Sequence, residues 1–172
     1  SSSSQWRFER DVFEKSNCTV HTFDCTGSSR GLAVPEDISS RVMLHEVCIH
    51  APQIQVPGLR GGPFESMDWM EMMQRLRLEH RPSLVNIDCD GCEHDIFRSA
   101  LQTGQHTMLP DQIAVELHYP YAGKDTWTVD AMLRELHEEA GFSVIAHQVG
   151  DERAPCCQQV TLARTRCIPQ GD

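Results

Sequence analysis

The run Val85-Asn86-Ile87-Asp88-Cys89-Asp90-Gly91-Cys92-Glu93-His94 constrains the fold more than any other part of the chain. A short apolar strand passes directly into three carboxylates, two thiols and a glycine, and a helix-like segment follows at once. In an open α/β sheet, ligands gather just beyond the carboxyl ends of strands, so this junction is where chemistry is expected.

The rest of the chain continues the alternation. Gln5 to Lys15 reads as a helix, with Trp6, Val12 and Phe13 at helical spacing. Cys18 to Phe23 alternates in strand fashion and ends at Asp24, and a Gly-, Ser- and Pro-rich loop runs from Cys25 to about Ser40. Arg41 to Ile49 reads as a second strand, and Ala51 to Pro63 as loop. Ser66 or Asp68 caps a helix to about Glu79, with Met70, Met73, Leu76 and Leu78 on its apolar side. Ser83 to Asp88 is a strand, Glu93 to Leu101 a helix facing inward through Ile96, Phe97, Ala100 and Leu101, and Gln112 to His118 a strand. Thr128 to Ala140 is a helix closed by Gly141, and Phe142 to Gln148 and Gln158 to Ala163 form a final, antiparallel pair. This order predicts an α/β fold: a Rossmann-like, doubly wound and mostly parallel sheet with an antiparallel C-terminal strand pair. With 172 residues and no visible linker, residues 1–172 are expected to form a single domain.

Charge narrows the partners. Twenty-five acidic against fifteen basic residues leave a formal charge of −10, which argues against non-specific binding of nucleic acid phosphates. Apolar stretches such as Ile113-Ala114-Val115 are too short to span a bilayer. The eight cysteines are not expected to form a disulfide scaffold, because a chain this long and regular needs no staples. Asn17-Cys18-Thr19 matches a glycosylation sequon, which matters only in a secretory compartment.

Polar residues collect at the strand ends: Asp24 after the first, Cys48 and His50 after the second, Asp88, Asp90 and Glu93 after the third, Glu116 and His118 on the fourth. Right-handed crossovers bring such ends to one edge of a sheet. A carboxylate at the end of an early strand suits a ribose diol, because it accepts two hydrogen bonds. Asp88 and Glu93 also suit the positive end of a helix dipole, and Asp90 could simply cap that helix. His118 could be a hydrogen-bonded structural histidine or a proton acceptor near neutral pH.

With these residues in place, the chain resembles class I S-adenosylmethionine-dependent methyltransferases of the FkbM and methyltransferase-like type. "CTVHTFDCT" (Cys18 to Thr26) resembles the family's second strand, with Asp24 at the ribose, and "RVMLHEVCIH" (Arg41 to His50) its third, beside the adenine. "PSLVNIDCDGCE" (Pro82 to Glu93) is similar to the fourth-strand motif D-x-E-G-x-E, and "DQIAVELHYP" (Asp111 to Pro120) to the fifth strand, with its E-x-H. The family's first strand and glycine-rich loop are mostly missing: Ser1 to Ser4 resemble only their tail, so the resemblance implies an N-terminally truncated domain. Asn86, Asp90 and Cys48 stand where the family often has Lys, Glu and Gly.

The resemblance implies methyl transfer from S-adenosylmethionine to an oxygen of a small molecule or glycan. It implies Ser2, Ser3, Asp24, Cys48, Asp88 and Glu93 on the cofactor side, and Asp88, Glu116 and His118 as catalytic residues, with no metal. Three alternatives compete. One is a catalytically degenerate methyltransferase-fold binding module. Another is thiol redox chemistry at Cys89-x-x-Cys92, at a helix N-terminus, and the third is zinc held by these cysteines with Cys156 and Cys157.

Overall fold

The computed structural model describes residues 6–24, 32–49, 66–89, 91–118, 128–149 and 157–166. Backbone packing divides the chain into two units, residues 1–48 with 55–67, and residues 49–54 with 68–172.

In the first unit, helix α1 (Arg7–Lys15) lies beside two parallel strands, β1 (Val20–Phe23) and β2 (Val42–His45). Trp6, Ile38 and Val42 form its buried centre, and Phe13, Val20, Leu32, Val34 and Leu44 pack around them. The guanidinium of Arg41 closes the helix end by donating to the carbonyls of Phe13, Ser16 and Cys18 while stacking over the Phe13 ring at 3.9 Å. The Phe13 and Ser16 carbonyls are among those a helix C-terminus leaves without intrahelical donors, and a cation there also complements the dipole.

The expected strand from Arg41 to Ile49 is broken in two: β2 stops at His45, and β3 is only Cys48–Ile49. The cause lies in the partner. β1 ends at Phe23, and the Asp24 N–H bond to His45 O at 3.0 Å closes the ladder among the described residues. Strands β3 and β4 (Ser66–Met67) fall where the chain passes between the units.

On the same face of β1 and β2, His21 Nδ1 lies 3.0 Å from His45 Nε2, and Phe23 stacks on His45 at 4.7 Å. One ring nitrogen must donate and the other accept, so the pair holds a single shared proton between the two rings. Burial holds the His21 imidazole below its ordinary pKa of 6.5. Below about pH 6.5 the unfolded chain therefore binds a proton there that the folded chain resists, and stability falls as pH drops. A His21→Gln variant is expected to show a shallower loss between about pH 7 and about pH 5 in denaturant titrations.

The second unit is built on a four-stranded sheet. Helix α2 (Trp69–Arg75) opens it with a capping box, in which Asp68 accepts from Glu71 N–H and the Glu71 side chain accepts from Asp68 N–H. Its buried side is Trp69, Met72 and Met73, so of the expected Met70, Met73, Leu76 and Leu78 only Met73 is buried, and the helix ends early because Arg77 takes a φ of 54°. Then follow β5 (Leu84–Ile87), α3 (Cys92–Gln102), a 3-10 turn (Gln105–Met108), β6 (Gln112–His118), α4 (Val129–Glu138), β7 (Phe142–Val149) and β8 (Cys157–Arg164).

The sheet order is β5-β6-β8-β7, with β5 and β6 parallel and β8 antiparallel to both its neighbours. The expectation of one mostly parallel sheet is corrected here. Among the described residues, the parallel pairs lie in two separate sheets, and β8 inserts between β6 and β7 to make two antiparallel pairings. The α/β character and the antiparallel closing pair are as expected. A bulge between Val144 and Ala146 kinks β7 where Val144 and Ile145 are exposed.

The core of this unit is Phe97, Ile113, Leu117, Met132, Leu136, Phe142 and Leu162, all fully buried. β6 alternates between these and the half-buried Ala114, Glu116 and His118, so its second face is free to carry polar groups. Among the described residues no helix is long and apolar enough to cross a membrane.

Candidate active site

Parallel pairing fixes the geometry of the junction. Ile87 on β5 is the partner of Val115 on β6, so Asp88 at the tip of β5 stands level with Glu116. Gly91 then turns the chain into α3 with a φ of 109°, a conformation that residues with a Cβ rarely adopt. No heavy atom lies within 4 Å of where its Cβ would be, so only backbone strain resists substitution. Gly91→Ala is expected to cost about 1–2 kcal/mol in urea or thermal unfolding.

Glu93, in the first turn of α3, is the one charged residue among the described residues that is completely buried. Its carboxylate is satisfied from three directions. Gly91 N–H donates to Oε2 at 2.9 Å, and His118 donates to Oε1 through its backbone N–H at 2.8 Å and its ring Nδ1 at 3.0 Å. A buried charge is tolerated only with such partners, and hydrogen bonds to an ionised acceptor are the strong kind. The bond to Gly91 also serves the helix end, since α3 has no side-chain cap.

The same bonds fix His118. A carboxylate oxygen only accepts, so Nδ1 of His118 carries the proton, and the neutral ring then has its lone pair on Nε2. Nε2 is turned toward Glu116, whose Oε1 is 3.9 Å away. His94 completes the cluster: its Nε2 donates to the His118 carbonyl at 2.7 Å and lies 3.8 Å from Glu93 Oε1. Chemically, a buried carboxylate that holds an imidazole in one tautomer, with the other nitrogen facing a second carboxylate, is the arrangement of an oriented general base.

The cysteines require a correction. Cys89 and Cys92 form a disulfide, and Cys48 and Cys157 are also disulfide-bonded, while Cys18 is free and exposed. Stapling is therefore part of this fold, contrary to the expectation from length. Glu116, His118 and Cys157 bring ligand-type atoms within 4.8 Å of one another. A disulfide sulfur, however, is not the thiolate a metal takes, and this applies equally to Cys89 and Cys92.

The structure thus gathers Asp88, Glu93, Glu116 and His118 in the second unit. Asp24 is half-buried at the end of β1 in the first unit, and Cys48 is buried there. Ser2, Ser3, His50, Asp90 and Cys156 lie outside the described residues. His94 was given no role from sequence; its only signal is that it directly follows Glu93.

No family model and no curated protein sequence matches this chain. Among solved structures, a protein assigned to the type 11 methyltransferases from Sulfolobus solfataricus is similar at 12% identity, with 96% of this chain and 95% of that chain covered and a TM-score of 0.42. The 1,6-didemethyltoxoflavin-N1-methyltransferase of Burkholderia thailandensis, bound to 1,6-didemethyltoxoflavin and S-adenosylhomocysteine, is similar at 14% identity, over 95% and 84% of the two chains, with a TM-score of 0.39. Both scores are too low to transfer an activity.

Proposed function

We propose that this chain is part of an S-adenosylmethionine-dependent methyltransferase that methylates an oxygen of a small molecule or glycan. The observation that carries the reading is the Glu93–His118 pair, which joins the first turn of α3 to the carboxyl end of β6 beside the exposed Asp88 at the tip of β5. Methylating a hydroxyl requires its proton to be removed as the oxygen attacks, and an imidazole held by a buried carboxylate is suited to that. S-adenosylmethionine supplies the activated methyl group, so the protein's remaining work is alignment.

In this reading His118 takes the acceptor's proton at Nε2, and Glu116 orients the acceptor. Glu93 acts through His118, because both of its oxygens already accept from the chain. Asp88 suits the cofactor side: its carboxylate is exposed at the strand tip and can accept from an ammonium or a diol. Asp24 is assigned to the ribose hydroxyls, and Ser2 and Ser3 to the same cofactor. Cys48, being buried and disulfide-bonded, offers a ligand its backbone rather than its sulfur. The proposal treats residues 1–172 as belonging to one methyltransferase domain with no role for nucleic acid.

Equilibrium dialysis with labelled S-adenosylmethionine tests it, using the longest form of the protein that the gene encodes. Saturable binding that weakens at least about tenfold in Asp24→Ala and Asp88→Asn is expected, the loss of a charge-assisted contact being worth roughly that much. Binding that neither change affects would count against the site. Binding without turnover on any hydroxylated acceptor would favour the degenerate module.

A further inference from the structure

The Cys89–Cys92 disulfide spans the turn into α3, with both sulfurs half-buried rather than sealed in the core. Each faces an oxygen that can only accept a hydrogen bond. Cys89 Sγ lies 3.5 Å from Glu93 Oε2, and Cys92 Sγ lies 3.3 Å from the Ile49 carbonyl oxygen. In the disulfide neither sulfur has a hydrogen to offer, so each oxygen meets sulfur lone pairs. In the dithiol each sulfur carries a hydrogen, and each has an acceptor beside it for an S–H···O hydrogen bond.

A structural disulfide gains nothing from two well-placed acceptors, whereas a pair that cycles does. We propose that Cys89–Cys92 is a redox-active pair that undergoes thiol–disulfide exchange with an external dithiol. A thiolate of the external dithiol attacks one sulfur of the pair and forms a mixed disulfide, and its second thiol then displaces that cysteine. The Cys89–Cys92 bond breaks, the external pair becomes a disulfide, and two electrons and two protons pass to the two cysteines. The dithiol product is held by Glu93 Oε2 and Ile49 O, which shifts the equilibrium toward reduction, because whatever stabilises the reduced form makes the pair more oxidising.

The exchange also reaches Glu93. On reduction Oε2 gains a second donor, Cys89 S–H, in competition with the Gly91 N–H already there at 2.9 Å. The proposal stands on the pair itself and does not depend on methyl transfer. It accounts for two thiols that the methyl-transfer site leaves unused.

The test is a titration of the folded protein with reduced and oxidised dithiothreitol, quenched by alkylation and mapped by peptide mass spectrometry. The Cys89–Cys92 bond is expected to open at a reduced-to-oxidised ratio at least about tenfold lower than the disulfide that holds the buried Cys48. In the same titration the Gly91 amide resonance is expected to move as the pair opens. Opening of Cys89–Cys92 together with or after the Cys48 disulfide would overturn the proposal, as would a Gly91 resonance that stays put through reduction. Both readouts use the unmodified chain, so no variant has to fold for the proposal to fail.

Discussion

Replacing Glu93 with alanine is expected to lower the stability of the second unit by about 3–5 kcal/mol, the range for breaking a buried charge network from one side. The change removes the acceptor for Gly91 N–H, His118 N–H and His118 Nδ1 together, at a side chain with no exposed surface. Each donor left without a partner costs on the order of 1–3 kcal/mol, and the three losses overlap because they share one small site. The melting temperature should fall by roughly 10 °C for a chain of this size. Glu93→Gln should lose less, about 1–3 kcal/mol, because one carbonyl oxygen remains while an NH₂ is forced against a donor. Circular dichroism melts of the three proteins check the order: native, then glutamine, then alanine. A glutamine variant less stable than the alanine one would mean that the side chain is strained rather than bonded.

The second large effect concerns chemistry. His118→Asn is expected to lower kcat for methyl transfer by about 10²–10⁴-fold, the usual worth of a positioned general base. Affinity for S-adenosylmethionine should be almost unchanged, because His118 is assigned to the acceptor side. Asparagine can still donate to Glu93 Oε1 in place of Nδ1, so the buried carboxylate keeps a partner and the fold is retained. The lost group is Nε2, beside Glu116. A fall in cofactor affinity without a change in kcat would move His118 to the cofactor side and remove the base from the proposal.

Much of the local structure was legible because it depends on local periodicity. The inward residues of α3, Ile96, Phe97, Ala100 and Leu101, are all buried as their spacing predicts. The span of β6 is as read, because its strict alternation puts Ile113, Val115 and Leu117 on the core side. What the sequence did not show depends on partners. The end of β2 at His45 coincides with the end of its partner β1 at Phe23, a pairing that is silent in the β2 segment itself. The phase of α2 is set by the Asp68–Glu71 capping box and by the Trp69 indole, which donates to Met108 O at 3.0 Å. The insertion of β8 between β6 and β7 is likewise a matter of pairing and not of composition.

The candidate site divides in the same way. Asp88 and Glu93 were found from the strand-to-helix junction, and Glu116 and His118 from a strand end. The bond that joins Glu93 to His118 spans 25 residues, so no window on either segment contains it. The spacing of Cys89 and Cys92 was visible, but whether two thiols are joined is a matter of geometry and redox environment.

The account turns on Glu93 holding the His118 ring with its proton on Nδ1, and long-range ¹H–¹⁵N spectra of the imidazole test this most directly. The neutral ring of His118 is expected to show a protonated Nδ1 and a bare Nε2, and to lose that preference in Glu93→Gln. A native ring with its proton on Nε2 would contradict the account, since the nitrogen meant to accept the proton would already carry one.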